Sequence, residues 1–368
     1  MAKVFIKSSS YEYDELRENV LSLLSDLEQW QGVSCIKPGK RVLVKPNLLM
    51  GVTPERAIVT HPMIIKIVCE YALSKGANVL VSDSPALGRF EKVVKQSGLL
   101  DALSGMGVTL KEFSSSRKVN NGTFTRLEIA ADALDCDVII NIPKLKTHVQ
   151  MGMTLAIKNL FGTVVGFQKS GWHFNIGENG DKFAELLVNI YTTLRPTINI
   201  LDGVLALEGD GPGTSGKPRH IGVLMASADA LSVDLAVCEM LAVNPFWLPT
   251  NRVGRNLGLI DDYSVEGQWP TVEGFVLPKN KNIVFGPNFA KNFVRKNFTS
   301  RPQNISLSCK LCNECVNICP AKAIDNLGNR LSFDYQKCIR CYCCLEVCPH
   351  QAIKIHEPLV GKIVQKLL

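Results

Sequence analysis

Short apolar runs alternate with longer stretches of helical periodicity through the first two thirds of the chain. Each run is rich in β-branched residues and ends in polar residues, as buried strands do, and the longer stretches place apolar residues on one helical face. The predicted strands are KVFIKSS, RVLVKPN, NVLVSDS, DVIINIPKLKTH, TINILDG and HIGVLMASAD, and the predicted helices lie near residues 11–30, 62–75, 180–194 and 229–243. Strands separated by helices need crossover connections. The pattern therefore predicts an α/β fold with a mostly parallel sheet and helices on both faces.

Polar side chains follow these predicted strands at the point where each one ends. In open parallel sheets, ligands bind outside the carboxyl ends of the strands, so we expect these side chains to meet around one crevice. The crevice is basic on balance, which favours an anionic ligand held by lysine and histidine and hydrogen-bonded by asparagine and aspartate. The candidate catalytic residues are Lys45, Asn47, Lys144, Lys146, His148 and Asp202.

Further polar residues are candidates for the same crevice. Lys158 and His173 would add positive charge, and Asn159 would add a hydrogen bond. Either His148 or Asp83 could act as an acid or base. The alternative is that all these residues belong to solvated surface loops, which also follow strands.

One glycine-rich segment, GPGTSG at residues 211–216, has the spacing of a nucleotide-binding loop. With Lys217 it also spells G-x-x-x-x-G-K, the pattern of a phosphate-binding loop. That pattern needs a serine or threonine at position 218 and a helix beginning there, whereas the chain has Pro218 followed by a predicted strand. We therefore predict a flexible loop or lid at this point rather than a nucleotide site.

The chain contains thirteen cysteines, and nine of them lie between Cys309 and Cys348. Such a density in a chain without a secretion signal indicates metal binding rather than disulfide bonds. The remaining four have apolar neighbours and are expected to be buried, inert thiols. They are Cys35, Cys69, Cys136 and Cys238.

Two cysteine runs, CKLCNECVNICP and CIRCYCCLEVCP, repeat the motif C-x-x-C-x-x-C-x-x-x-C-P at an offset of 29 residues. This spacing is typical of two [4Fe-4S] clusters, because three thiolates of one loop bind one cube and the fourth reaches the other cube. The expected ligands are Cys309, Cys312, Cys315 and Cys348 for cluster one and Cys338, Cys341, Cys344 and Cys319 for cluster two. The repeat resembles the bacterial two-cluster ferredoxins over residues 301–357, and this resemblance implies electron transfer.

Two features of the repeat need a separate interpretation. A pair of zinc sites is the alternative to clusters, but zinc needs only four ligands and would not require a third cysteine and a C-P step in each copy. Cys343, next to Cys344, departs from the ferredoxin pattern. We interpret it as a spare thiol beside a cluster.

Composition and charge narrow the class of protein. Hydrophobic residues make up 46% and charged residues 20% of the chain, as in ordinary globular proteins. The net charge of +7 is spread along the chain, so a nucleic-acid partner is not expected. No run reaches the roughly twenty apolar residues of a membrane span, and the first residues lack the apolar core of a signal peptide. A cytoplasmic protein with a redox partner protein is expected.

Several segments are similar to the family known as domain of unknown function 362. They are KPNLL with a following HP, NIPKLKTH, MTLAIKNLFGTV, LDGVLALEGDGPGTSGKPR and SADALSVD, and the likeness covers about residues 1–270. Members of that family often carry a two-cluster ferredoxin module at the C-terminus, which matches the order here, but the family has no general assigned reaction. The resemblance implies that its recurring polar residues fall on Lys45, Asn47, His61, Lys144, Lys146, His148, Lys158, Asn159 and Asp202.

The sequence thus predicts a two-part protein. An α/β domain spans residues 1–285, a connector spans 286–304, a small α+β ferredoxin-like module spans 305–357, and a tail spans 358–368. The leading hypothesis is a redox protein whose clusters exchange electrons with a small anionic substrate in the crevice. The alternatives are a non-enzymatic electron carrier or adaptor that docks a partner oxidoreductase, and an assembly or ligand-binding factor with structural clusters.

Overall fold

The structure is a computed structural model of the chain. It describes residues 1–368 except 33, 121–122, 167, 178, 280–299, 306 and 357–368. Most of the predicted connector, 286–304, and the whole predicted tail, 358–368, lie outside the described residues.

The described part of the α/β domain is built on a sheet of ten strands. Its strands are β1 (Ala2–Ser8), β2 (Arg41–Pro46), β3 (Asn78–Val81), β4 (Val108–Leu110), β7 (Val138–Ile142), β8 (Lys144–His148), β9 (Gly152–Thr154), β10 (Ile198–Gly209), β11 (Gly216–Ser227) and β12 (Tyr263–Glu266). The spatial order is β12-β1-β11-β10-β7-β2-β3-β4, with β8 paired to β10 and β9. A separate hairpin joins β5 (Ser116–Lys118) to β6 (Glu128–Ala130).

Most neighbouring strands of this sheet are parallel. The antiparallel pairs are β1 with β11, β10 with β11, and β8 with β9. Successive strand residues point to opposite faces, so that Leu43 enters one core while Val42 and Val44 enter the other. A hydrophobic core therefore lies on each face, and the predicted α/β fold with a mostly parallel sheet is confirmed.

Helices cover both faces of the sheet. Those of the α/β domain are α1 (Tyr13–Gln31), α2 (Pro62–Ser74), α3 (Phe90–Gln96), α4 (Leu99–Ala102), α5 (Ala131–Asp135), α6 (Ala156–Asn159), α7 (Gln168–Ile176), α8 (Gly180–Leu194), α9 (Ala230–Met240) and α10 (Pro249–Asn256). The apolar sides of α1 and α2 fill one core, and those of α8 and α9 fill the other. Asp229 caps α9 by accepting a hydrogen bond from the backbone N–H of Ser232 (2.7 Å), as such a residue does at a helix N-terminus.

The C-terminal module consists of two short antiparallel strand pairs and two short helices. The elements are β13 (Arg301–Asn304), α11 (Glu314–Ile318), β14 (Ile324–Asn326), β15 (Leu331–Phe333), α12 (Cys343–Glu346) and β16 (Ile353–His356). β13 pairs with β16 and β14 pairs with β15, both antiparallel. The structure thus places Arg301–Asn304, which the sequence assigned to the connector, in the module's own sheet.

The module docks on the α/β domain through the loop at residues 211–216. Thr214 Oγ1 in this loop donates a 2.6 Å hydrogen bond to the carbonyl oxygen of Cys348. A Cβ added at Gly213 would lie 2.1 Å from the carbonyl oxygen of Glu346, so only glycine permits this approach. The loop is largely buried, with Ser215 only partly so, and it packs on the module as a docking surface instead of standing open as the predicted flexible loop or lid.

No helix among the described residues is long and apolar enough to cross a membrane.

Candidate functional site

A cavity of about 430 Å³ lies where the module meets the carboxyl ends of the central strands. We call it the interdomain cavity. One side of it is formed by the α/β domain, through the loops after β2 and β3, strand β8 and helices α6 and α7. The other side is formed by α11 and α12 of the module. Its polar and thiol-bearing lining residues are Asn47, Asp83, Ser84, Glu112, Lys146, His148, Thr154, Lys158, Asn159, Lys169, Ser170, His173, Glu314, Asn317, Cys343 and Glu346.

Three of the predicted crevice residues do not line this cavity but form buried ion pairs behind its wall. Lys45 Nζ donates to Asp83 Oδ1 (2.9 Å), and Lys144 Nζ donates to Asp202 Oδ2 (2.8 Å). Asp202 also accepts hydrogen bonds from Tyr11 Oη and from the backbone N–H of His61. Burial lowers the pKa of both lysines, and the facing carboxylate opposes that shift in each case. These groups are matched in charge and fix the strand ends in place.

Lys146 lines the cavity and is buried without a facing carboxylate. Its Nζ donates to Asn47 Oδ1 and to the carbonyl oxygen of Ile58, both at 2.7 Å. Burial is the main cause that holds the pKa of Lys146 well below its usual range, and the charge of Lys158 adds to it. Neutral oxygens alone hold this ammonium, which is an unusual arrangement for a buried charge.

A row of four asparagine amides leads from Lys146 into the sheet. Asn47 Nδ2 donates to Asn159 Oδ1 (2.8 Å), Asn159 Nδ2 donates to Asn141 Oδ1 (2.8 Å), and Asn141 Nδ2 donates to Asn199 Oδ1 (2.9 Å). Each amide oxygen therefore points toward the ammonium. Aligned dipoles of this kind polarise one another and partly offset the desolvation of the positive charge.

Lys158, on α6, contributes a second ammonium to the cavity. Its Nζ lies 5.5 Å from the ring centre of Phe161 and 6.0 Å from that of Phe183. Within the part of the chain that the structure describes, no hydrogen bond or ion pair involves this Nζ. Burial lowers the pKa of Lys158, while the nearby Glu346 and Cys343 raise it.

His148 and Glu346 meet across the boundary between the domain and the module. Two backbone N–H groups, of Gln150 and Met151, donate to His148 Nδ1, which leaves the proton of the neutral ring on Nε2. That Nε2 lies 3.2 Å from Glu346 Oε1, outside hydrogen-bond geometry, so this buried oxygen has no hydrogen-bond partner among the described residues. Burial is the first cause that holds the pKa of His148 well below its usual range, and burial raises the pKa of Glu346 to about 7.

Helix α7 supplies two further groups to the cavity. Lys169 Nζ donates to the carbonyl oxygen and the hydroxyl of Ser84, both at 2.7 Å, and burial lowers its pKa to about 8. His173 stacks on Phe183 with ring centres 4.5 Å apart, and its Nδ1 is buried without a hydrogen-bond partner in the described part of the chain. Burial, followed by the charge of Lys158, lowers the pKa of His173 to about 3.

The cavity thus brings together part of the predicted set and adds residues that the sequence did not single out. Asn47, Lys146 and His148 of the candidate catalytic residues line it, whereas Lys45, Lys144 and Asp202 lie behind it. Asp83, Lys158, Asn159 and His173 also line it. The polar lining residues that the sequence did not single out are Glu112, Thr154, Lys169, Ser170, Glu314, Asn317 and Glu346, and Cys343 was not expected to face a cavity. Of these residues, only Glu346 had a sequence feature that could indicate its role, because it lies between Cys344 and Cys348. That feature can be interpreted only when the docking of the module on the α/β domain is known.

The cysteines of the module fall into two groups in space. Cys309, Cys312, Cys315 and Cys348 line one small cavity of their own. Cys319 and Cys341 lie close enough to Cys338 to raise its pKa, after burial, to about 11. No three histidine, cysteine, aspartate or glutamate side chains in the described residues converge as a single metal ion requires.

The two cysteine loops share an unusual backbone that fits a cluster. Non-glycine residues with positive φ occur in pairs at the repeat offset, such as Leu311 (φ 52) with Arg340 (φ 51) and Asn313 (φ 66) with Tyr342 (φ 59). Left-handed residues carry backbone strain and turn successive N–H groups inward. Backbone N–H groups also donate to two sulfurs of the predicted ligand set, from Ala323 to Cys319 Sγ and from Ala352 to Cys348 Sγ, both at 3.3 Å. Clustered thiols with inward N–H donors match the chemistry of an iron-sulfur cluster.

Cys343 begins α12 and faces the interdomain cavity. A hydrogen bond joins its thiol to Cys341, and this bond raises the pKa of Cys343 and lowers that of Cys341. The extra thiol is therefore placed between a cluster-type cysteine and the cavity.

Comparison with known proteins gives results that agree with this architecture. A family model described as Domain of unknown function (DUF362) matches residues 42–239, and a model described as 4Fe-4S dicluster domain matches residues 301–349. A thylakoid-associated protein of Synechocystis sp. is 37% identical over 255 residues, which cover 69% of this chain and 78% of that protein.

Two other matches are more limited. The indolepyruvate oxidoreductase subunit IorA of Archaeoglobus fulgidus is 42% identical over 52 residues, which are 14% of this chain and 8% of that subunit. The lactate racemase apoprotein from Thermoanaerobacterium thermosaccharolyticum superposes with a TM-score of 0.39 and 10% identity, over 66% of this chain and 57% of that one. That TM-score is too low to support an argument. The family model and the Synechocystis relative together show that this chain is an iron-sulfur protein of the DUF362 family, with a 4Fe-4S dicluster domain after the family region.

Proposed function

We propose that the chain is an electron-transfer protein in which two [4Fe-4S] clusters of the module exchange electrons with a small anionic ligand in the interdomain cavity. Cys309, Cys312, Cys315 and Cys348 would hold cluster one, and Cys338, Cys341, Cys344 and Cys319 would hold cluster two. When bound, such clusters supply one-electron chemistry.

The observation that carries the proposal is the shared wall of the interdomain cavity. Helix α12, which contributes Cys343 and Glu346 to that wall, also contains Cys344 and is followed by Cys348. Cys343 is adjacent in sequence to Cys344, and Val347, which also lines the cavity, is adjacent to Cys348. A ligand in the cavity would therefore contact direct neighbours of residues proposed to bind both clusters. This adjacency supports electron exchange between the clusters and a ligand in the cavity.

The anionic character of the ligand follows from the charges around the cavity. Lys146 and Lys158 have no hydrogen-bonded carboxylate partner among the described residues, whereas Lys45 and Lys144 behind the wall are each paired with one. Glu346 attracts both lysines without a salt bridge to either. One N–H donor of Lys146 and all three of Lys158 therefore stay unused by the described residues, and an anion that enters the cavity gains charge-assisted hydrogen bonds with them. His148 Nε2 would donate a further hydrogen bond.

Cluster reoxidation tests the proposal. Anaerobically purified protein is reduced with dithionite, freed of excess reductant and mixed with single small carboxylates and phosphate esters, while the visible absorbance of the clusters is followed. We expect one class of anion to reoxidise the clusters. The double variant Lys146→Ala/His148→Ala should lose this reaction with its iron content unchanged, and a Lys95→Ala variant on the exposed side of α3 should retain it.

The opposite result is equally clear. If no anion reoxidises the clusters, or if the double variant reacts as fast as the unmodified protein, the cavity is not the place where electrons reach a substrate.

A second candidate function is an electron carrier that docks a partner oxidoreductase. Cys312 is exposed and Cys309 is partly exposed, so the edge of the proposed cluster one faces solvent. A partner could exchange electrons at this edge without any use of the cavity. Unchanged electron transfer from the reduced double variant to an external acceptor such as cytochrome c, combined with no reaction with any anion, would favour the carrier.

A further inference from the structure

Lys158 differs from every other lysine of the cavity in what surrounds its ammonium. Lys146 donates to two oxygens and is backed by the row of asparagine amides, and Lys169 donates to two oxygens of Ser84. In the described ranges, Lys158 Nζ has neither a hydrogen bond nor an ion pair. All three N–H donors of Lys158 are thus available to a ligand.

Aromatic rings lie next to this ammonium but accept no hydrogen bonds from it. Phe161 and Phe183 lie within 6.0 Å of Lys158 Nζ, and His173 packs against both rings. A ring face attracts a cation weakly and accepts no strong hydrogen bond. The Nδ1 atom of His173, buried and without a partner in the described chain, is a second polar group at the same place whose hydrogen bond is not made by the protein.

The rest of the wall is largely apolar. Leu48, Leu49 and Leu87 line the cavity from the α/β domain, and Ile318 and Val347 line it from the module. A fully hydrated inorganic anion would leave these carbon surfaces in contact with water. A ligand with an apolar body would instead remove these carbon surfaces from water, which is favourable in proportion to the area buried.

We propose that the ligand of the interdomain cavity is an amphipathic oxyanion: a carboxylate or phosphate group bound by Lys158 beside His173, attached to an apolar body that packs on Leu48, Leu87 and Ile318. This inference rests on the proposed function for the presence of an anionic ligand, and it adds the chemical class of that ligand and the residue that selects it. The cavity volume of about 430 Å³ falls within the range of sites for drug-sized ligands.

Calorimetric titration of the anaerobic holoprotein tests the assignment with four probes: octanoate, octyl phosphate, octanamide and inorganic phosphate. Octanoate or octyl phosphate should bind, and whichever binds more tightly identifies the oxyanion. Octanamide has the same apolar body without the charge, and inorganic phosphate has the charge without the body. We expect octanamide to bind about tenfold to a hundredfold more weakly, since it lacks the hydrogen bond between two charged groups. Inorganic phosphate should bind at least about a hundredfold more weakly, since burial of several CH₂ groups contributes more than one such hydrogen bond.

The variant Lys158→Met shortens the unbranched side chain by one atom and removes its charge. It should reduce the affinity for the charged alkyl probe by about tenfold to a hundredfold and leave the affinity for octanamide unchanged. Lys95→Met, at an exposed position on α3, is the matched control and should bind as the unmodified protein does. Cluster absorbance and the thermal unfolding midpoint show that each variant is folded and loaded.

Failure of this inference is distinguishable from failure of the proposed function. Equal affinity for octanoate, octyl phosphate and octanamide, tighter binding of inorganic phosphate than of either charged alkyl probe, no binding of either charged alkyl probe, or unchanged affinity in Lys158→Met would each overturn the amphipathic assignment. Binding that depends on Lys158 without any cluster reoxidation would sustain the ligand class and contradict electron transfer to the ligand.

Discussion

The lysines in and behind the interdomain cavity fall into two groups that differ in their partners. Lys144 faces Asp202 at 2.8 Å in a pair that is almost wholly buried, while Lys158 faces aromatic rings. Removal of one member of a buried pair leaves the other charge uncompensated, which costs about 3–5 kcal/mol. Removal of a cation that forms no ion pair leaves no ion-pair partner uncompensated and does not incur this cost.

Stability measurements on two methionine variants should therefore diverge. Lys144→Met is expected to lower the free energy of unfolding by about 3–5 kcal/mol, and Lys158→Met to change it by at most about 1 kcal/mol. Urea denaturation followed by far-ultraviolet circular dichroism measures both. Similar losses in the two variants would show that the distinction drawn from their contacts is incorrect.

His173 should make stability depend on pH in a defined direction. Its pKa is about 3 in the folded chain, and about 6.5 is expected in the unfolded chain. Between these values the unfolded state binds the additional proton, so the free energy of unfolding falls as pH decreases from about 6.5, by up to about 1.4 kcal/mol per pH unit from this group.

His173→Phe removes that contribution, and its effect is measured by urea denaturation at pH 7, 6 and 5. The difference between the unmodified protein and the variant should change with pH in favour of the variant as the pH falls. His220→Phe, at an exposed position of β11, serves as the control. A pH-independent difference for His173→Phe would contradict a neutral buried imidazole.

At this scale the sequence predicted which strand ends carry polar residues, and it could not predict how they pair. Lys144 and Lys146 are two residues apart in one motif, yet one is matched by Asp202 and the other faces the cavity. Their partners come from distant parts of the chain, and no local pattern encodes that choice. Glu346 was missed for the same reason.

Elements rather than single residues determine how the module is held. The loop at 211–216 approaches α12 so closely that a Cβ at Gly213 would meet the carbonyl oxygen of Glu346. Its glycines were visible in the sequence and suggested a nucleotide loop, because close approach of a backbone to phosphate and to another backbone demand the same residue. Context excluded the nucleotide site, but only the fold reveals the docking role.

Gly213→Ala should loosen the contact between the module and the α/β domain. We expect faster hydrogen exchange in α12 and in the loop, as measured by mass spectrometry, and slower electron exchange with any cavity ligand. Gly180→Ala is the matched control, since a Cβ at that helix start meets nothing within 4 Å. Unchanged exchange in Gly213→Ala would mean that the loop does not hold the module.

Secondary structure was predictable where the apolar pattern was long. Helix α8, expected near 180–194, spans Gly180–Leu194, and the strand in RVLVKPN spans Arg41–Pro46. The sequence pattern did not reveal that β11 runs antiparallel between β1 and β10, because strand direction depends on connections and pairing rather than on the side chains of one strand.

The central prediction for the whole molecule is that it holds two [4Fe-4S] clusters and that Cys343 is not one of their ligands. Cys343→Ala should retain the iron and sulfide of both proposed clusters, about eight of each per chain. The cluster that we propose to be held by Cys341 should shift to a lower reduction potential in this variant, because a hydrogen bond to a ligand sulfur stabilises the reduced, more negative state.

Iron and acid-labile sulfide analysis, together with a redox titration followed by electron paramagnetic resonance, provides the measurement. Cys312→Ala, which removes a proposed ligand, is the contrasting variant and should lose about half of the iron. Loss of half of the iron in Cys343→Ala would instead identify Cys343 as a ligand.

The row of amides from Asn47 to Asn199 has one sense along its whole length. Rotation of a single member would bring two N–H groups face to face, so the four can reverse only together. The orientation is anchored at the far end, where Asn199 donates to the carbonyl oxygens of Ser227 and Ala228. A substitution of Asn199, deep in the sheet and remote from the cavity, would therefore change the pKa of Lys146.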